Sequence, residues 1–178
     1  MKKHPIPTII IVLFITLLFF GKGVIAQEIS VEGKKVEYTL PYTGILPDNP
    51  LYNLKGIRDT IWIFLTRDYV KKARILLLIS DKKIVMASKL SDNGKWNQAA
   101  ETAESAEKDT LKIFSLLKKT KQQGAAAPEE FIQKLKMSNE KHKEVIESIL
   151  IDLPLGTHER FKEILNINSQ IRSKLNAL

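Results

Sequence analysis

Between Trp96 and Leu117 small and apolar side chains return every three or four residues, as Trp96, Ala99, Ala103, Ala106, Thr110, Ile113 and Leu117. That alternation draws one stripe along an α-helix and gives a β-strand no consistent face to bury, so this stretch must be a long helix packed along another. The alanines in its first half let a neighbouring backbone come close. Glu101, Glu104, Glu107 and Asp109 come early and Lys118, Lys119 and Lys121 late, which suits the helix dipole.

The same periodicity places four more helices. Asp48 or Asn49 can cap a first helix, with Pro50 at the position where its fixed φ is favoured and Leu51, Leu54, Ile57, Ile61 and Leu65 following at helical spacing. Asp68 is an N-cap for a second helix running to about Ser91, and Gly94 supplies the left-handed residue that stops it. Pro128-Glu129-Glu130 starts a fourth helix, whose inner stripe is Phe131, Leu135, Ser138, His142, Val145 and Ile149. Thr157 is expected to cap a fifth, with Phe161, Ile164, Asn168, Ile171, Leu175 and Leu178 on its seam. The expectation is an all-α fold: an antiparallel bundle of four long helices preceded by a short helix and an extended, proline-containing N-terminal arm. A three-helix bundle with the fifth helix loosely attached is the alternative. With no cysteine in the chain, the core must hold without disulfides, which a domain of this length can do.

The N-terminus reads as an export signal over residues 1–26. Lys2 and Lys3 precede an apolar run from Thr8 to Phe20, and Val24-Ile25-Ala26 forms a small-residue cleavage site. An uncut anchor is the alternative, although the run is short of the ~20 residues that span a bilayer. No cysteine stands near the cleavage point, which excludes a lipid-anchored lipoprotein. The arm then covers 27–49 and the helical bundle domain 50–178. The reading predicts an exported protein, extracellular, at the cell surface or periplasmic, with no transmembrane helix after cleavage. Of 28 basic residues the signal removes Lys2, Lys3 and Lys22, leaving 25 against 20 acidic, or +5. That mild balance permits anionic partners without demanding them.

The stretch Leu40-Pro41, Gly44, Leu46-Pro47-Asp48, Pro50-Leu51-Tyr52 and Leu54-Lys55 resembles the opening of a family of exported bacterial helical domains of unknown function, LP-x-x-G-x-LPD-x-PLY-x-LK. Lys71-Lys72-Ala73, Asp81-Lys82-Lys83 and Gly94-Lys95-Trp96 with Ala99 extend the resemblance, which covers roughly residues 40–119. It implies an all-helical cell-envelope or secreted domain and brings no activity with it. Gly56 departs from the pattern where a helix former would be expected, and softens the first helix.

Little in the chain points to catalysis. Beyond the signal the histidines are His142 and His158, and without cysteine neither a Cys-His pair nor a soft metal cluster can form. No nucleophile elbow or phosphate-cradling glycine loop is present. Acidic residues spread among lysines read as solvated helix faces. The expectation is therefore no enzyme, no cofactor and no metal. Two surfaces stand out. From Arg67 to Lys89 seven basic residues face Asp68 and Asp81, and Lys71, Arg74, Lys82 and Lys89 share one side of the helix, interleaved with Ile75, Leu78, Val85 and Met86. Left uncovered, that side would suit an acidic protein or an anionic envelope component; nucleic acid is not expected, because aromatic interleaving is missing. A strap made by residues 40–59 is the nearest apolar cover. Inside the bundle, His142 and Asn168 could line a small polar pocket, or else pair with other buried polar groups and fix register. The sequence thus supports a noncatalytic binding or scaffolding module at the cell envelope, with a ligand-sensing bundle as the alternative.

Overall fold

The computed structural model describes residues 36–154, 156 and 158–178; the signal segment, the start of the arm and Thr157 lie outside the described residues. Among the described residues five helices follow one another: α1 (Tyr52–Leu65), α2 (Tyr69–Asp92), α3 (Trp96–Gln122), α4 (Glu129–Asp152) and α5 (His158–Asn176). No strand occurs among the described residues. The chain is all-α, a bundle of four long helices with the shorter α1 ahead of it.

The helix ends follow from local chemistry. Asp68 takes extended backbone and its side chain accepts from Lys71 N–H at 2.9 Å, satisfying one of the free donors at the start of α2. Gly94, at φ 72°, makes the left-handed turn between α2 and α3, a conformation in which a Cβ would be strained. Glu129 and Glu130 place negative charge in the first turn of α4.

Side-chain bonds give the register. Ser80 meets Thr110 at 2.7 Å and Lys83 reaches Asp109 at 2.5 Å, so α2 and α3 run antiparallel as a hairpin. Ile146 and Phe161 share one apolar cluster and Phe131 and Ile171 the other, with Asn139 meeting Asn168 between them, so α4 and α5 form a second antiparallel hairpin. The hairpins stack with α4 parallel to α2, because Arg74 lies over the Phe131 ring while Asp81 meets Ser138. In the same way α5 runs parallel to α3, with Arg160 near Glu104 and Asn168 on Glu107.

Stacking creates two apolar half-cores. One gathers Ile84, Leu90, Ala103, Ala106, Ile146 and Phe161, with Leu40 of the arm buried among them. The other gathers Leu77, Ile113, Phe131, Leu135, Ile171 and Leu175. The small Ala99, Ala100, Ala103 and Ala106 are all fully or almost fully buried, consistent with the close approach of α2.

The arm and α1 depart from the expected strap. Val36 N–H donates to Glu144 at 3.0 Å, Tyr38 enters the bundle, and Leu40 and Thr43 are buried. These residues, rather than α1, supply the apolar side chain packed with Val85, and Ile75, Val85 and Met86 are buried. None of the residues of α1 is buried. Leu51 and Leu54, expected to press on the bundle, face solvent instead.

Candidate functional site

Between the two half-cores lies a polar layer to which the arm and all four long helices contribute. His142 of α4 is at its centre and has no exposed surface. Its Nδ1 lies 2.8 Å from Glu107 Oε1 and its Nε2 lies 3.0 Å from Asp81 Oδ1. A neutral imidazole has one N–H and could donate to only one of them; the imidazolium donates to both. Burial alone pulls the imidazole toward the neutral form, but the hydrogen bonds to Asp81 and Glu107, with their charges, outweigh it and hold the pKa up at about 9.

Neutral donors complete the bonding of both carboxylates. Ser138 Oγ donates to Asp81 Oδ1 at 2.6 Å and Tyr38 OH donates to Asp81 Oδ2 at 2.6 Å. Asn168 Nδ2 donates to Glu107 Oε2 at 3.3 Å and to the Asn139 carbonyl at 3.1 Å. Burial, and then the Asp81 charge beside it, pushes the Tyr38 phenol well above its usual range, so it stays a donor. Two carboxylates and one imidazolium leave the layer with one net negative charge, spread over neutral donors. His142 and Glu107 are both at 0% exposure, enclosed by the helices. What this geometry does is fix which helix levels meet, since a slip of one turn would strand a buried charge.

His142 and Asn168 therefore do meet, both on the Glu107 carboxylate. Asp81 and Ser138 stand beside them, both within hydrogen-bonding distance of His142 Nε2. The expectation that acids lie on solvated faces fails at Asp81, Glu107 and Asp109, all buried. A signal for the first was present: Asp81 stands four residues after Leu77 and three before Ile84, within an inner stripe.

The basic side of α2 also differs from its expected form. Arg74 lies 5.0 Å from the Phe131 ring and Lys89 lies 5.3 Å from the Tyr42 ring, while Lys71 is exposed and Lys82 half-buried. Of the apolar residues interleaved with Lys71, Arg74, Lys82 and Lys89, Ile75, Val85 and Met86 are buried and only Leu78 is half-buried. Asp81 is turned inward, so the surface of α2 is more basic than its composition.

An open cleft of about 780 Å³ lies beneath α1, floored by α2 and α3. Tyr52, Lys55, Gly56, Asp59 and Ile63 form its roof; Leu76, Lys83, Asp109 and Leu116 are among its floor residues. Gly56 faces open space, so no close approach requires the missing Cβ. Lys55 Nζ donates to the Thr43 carbonyl at 2.8 Å, tying α1 back to the arm. Its burial lowers the ammonium pKa to about 8, Asp59 opposing that and Lys82 adding to it.

A family model described as Domain of unknown function (DUF5667) matches residues 44–155, more than half of the chain. The chain belongs to that family. The DUF5667 match begins at Gly44, within the proline-containing opening, and runs through α4, well beyond the 40–119 that the motif resemblance covered. It ends before α5, which nevertheless contributes Asn168 to the polar layer. No curated protein and no solved structure matches the chain. No group of residues able to hold a metal ion occurs among the described residues, and no described helix is long and apolar enough to cross a membrane.

Proposed function

We propose that this DUF5667 protein is a noncatalytic, exported helical module that attaches to a component of the cell envelope, with α1 and the adjoining basic side of α2 as its contact surface. One observation carries the reading: α1 is an amphipathic helix whose apolar side chains face away from the bundle, Leu54 64% and Phe64 80% exposed. Monomeric proteins seldom leave such a contiguous patch without a use. The N-terminal stretch that reads as an export signal supports a location outside the cytoplasm for that patch. The enclosure of His142, Asp81 and Glu107 supports a structural rather than a catalytic use of the titratable groups.

The test is to express the full chain with its leader, separate cytoplasm, envelope and medium, and compare wild type with a Leu54→Ser/Ile61→Ser variant by immunoblot. Wild type is expected in the envelope fraction and the variant in the soluble exported fraction. Retention of both in the cytoplasm, or equal envelope recovery, overturns the reading.

The cleft beneath α1 favours a second reading, a ligand-sensing bundle whose site is there rather than around His142. Thermal shifts with envelope metabolites, lost in a Gly56→Phe variant that fills the roof, would support it.

A further inference from the structure

We propose that the outward face of α1 docks on the surface of an anionic lipid bilayer; this deepens the reading above by naming the envelope component. Setting Tyr52 at 0° and advancing about 100° per residue, the roof residues Lys55, Gly56, Asp59 and Ile63 fall within about 60° of Tyr52. Leu51, Leu54, Ile57, Ile61, Phe64 and Leu65 fall on the opposite side, within an arc of about 140°. Each of these six is between 50% and 80% exposed. The helix is thus turned with its charged and small residues over the cleft and its apolar arc outward, the reverse of a helix that stabilises a core.

Charge decides between occupants. Arg58 lies inside the apolar arc with its side chain half exposed, and exposed Arg67, Lys71 and Arg74 follow directly after α1. Against them stand Asp59, paired with Arg58 and turned toward the cleft, and Asp68, which caps α2. Apolar side chains beside a cluster of arginines and lysines match an anionic headgroup layer over acyl chains, which attracts each basic residue near the surface. Trp62, at the edge of the arc and 47% exposed, has the amphipathic ring favoured at that boundary.

A second copy fits less well. Fourteen residues make a helix about 21 Å long, and a strip about 10 Å wide along it offers roughly 200 Å², against the ~800 Å² per partner of a stable interface. Two copies would also bring their arginines together.

The experiment uses the exported protein as purified from producing cells, in a Trp96→Phe background so that Trp62 alone reports. It is sedimented with vesicles of phosphatidylcholine, with and without phosphatidylglycerol. Wild type is expected to bind the anionic vesicles at least tenfold more tightly than neutral ones, with a blue shift of Trp62 emission. Leu54→Asp/Ile61→Asp should lose tenfold or more at unchanged melting temperature, and Arg67→Glu/Lys71→Glu should lose severalfold with the apolar arc intact. No vesicle binding, binding indifferent to anionic lipid, or binding indifferent to the substitutions overturns the proposal. So does dimerisation that Leu54→Asp/Ile61→Asp abolishes while vesicles are ignored. Envelope recovery without vesicle binding overturns the lipid and leaves the binding module standing; loss of both overturns both.

Discussion

The polar layer and α1 break the same partition rule in opposite directions. At the middle of the bundle a histidine and two carboxylates are enclosed where apolar side chains would be expected; on α1 six large apolar side chains are exposed where polar ones would be expected. The difference lies in what each arrangement does with the groups it misplaces. Inside, every charge is answered: both imidazole nitrogens meet a carboxylate, Tyr38 and Asn168 serve the two remaining oxygens, and Ser138 adds a second bond to the Asp81 oxygen that faces His142. On α1 nothing among the described residues answers the apolar arc. A misplaced group with partners reads as structure, whereas one without partners reads as a contact surface.

Removing the centre of the layer should have the largest effect. His142→Ala leaves Asp81 and Glu107 buried without their shared cation, which costs about 3–5 kcal/mol. Urea denaturation of the variant checks this. A loss below about 1 kcal/mol would mean that water reaches the carboxylates, and the layer would then resemble α1 more than the contrast allows.

The pH dependence follows in size. The folded state holds the His142 proton more tightly than the unfolded chain, with a pKa of about 9 against an ordinary 6.5. Its contribution to stability is therefore complete below pH 6.5 and is lost as pH rises from 6.5 to 9, a decline of roughly 3 kcal/mol at about 1.4 kcal/mol per unit. Urea midpoints across that range should fall for wild type. In a His142→Gln protein this part of the slope should vanish.

How much of this was legible in the sequence depends on the kind of information each feature needs. Seams such as Trp96 to Leu117 and Phe131 to Ile149 are local, and so are the Asp68 cap and the Gly94 turn; all of these could be read directly. Glu107 could not be read so, because it sits beside the seam among other acids and its burial depends on α4 and α5 arriving next to it. Tyr38 reaches Asp81 across 43 positions, which no local pattern encodes. The stacking of the two hairpins is similar: spacing shows that α2 and α4 each have an inner face, not that they lie side by side and parallel. For α1 the periodicity identified an apolar face correctly, but not its direction. Lys55 and Asp59, turned toward the cleft, put that face outside.

Lys55 gives a smaller effect of opposite sign. Unlike His142 it has carbonyls rather than carboxylates as its bonded partners, and burial lowers its pKa from 10.5 to about 8. The folded state then binds this proton less tightly than the unfolded chain, so the penalty is complete below pH 8 and relieved as pH rises from 8 to 10.5. Solvent screening reduces the change to about 1 kcal/mol. The stability difference between wild type and Lys55→Met should rise by that amount over the window. A flat difference would place the Lys55 ammonium in water.

The smallest expected effect is the most discriminating. If the arc on α1 has no role in holding the fold, Leu54→Ser/Ile61→Ser should change stability by less than about 0.5 kcal/mol, because side chains 64% and 50% exposed have little further to lose on unfolding. Were the arc instead to press on the bundle in solution, closing the cleft beneath it, two such changes would cost several times more, since a buried leucine or isoleucine contributes about 1.5–3 kcal/mol each. Urea midpoints of the pair therefore separate a helix that faces outward from one that closes on α2 and α3. Only the first leaves an apolar surface for a partner to take.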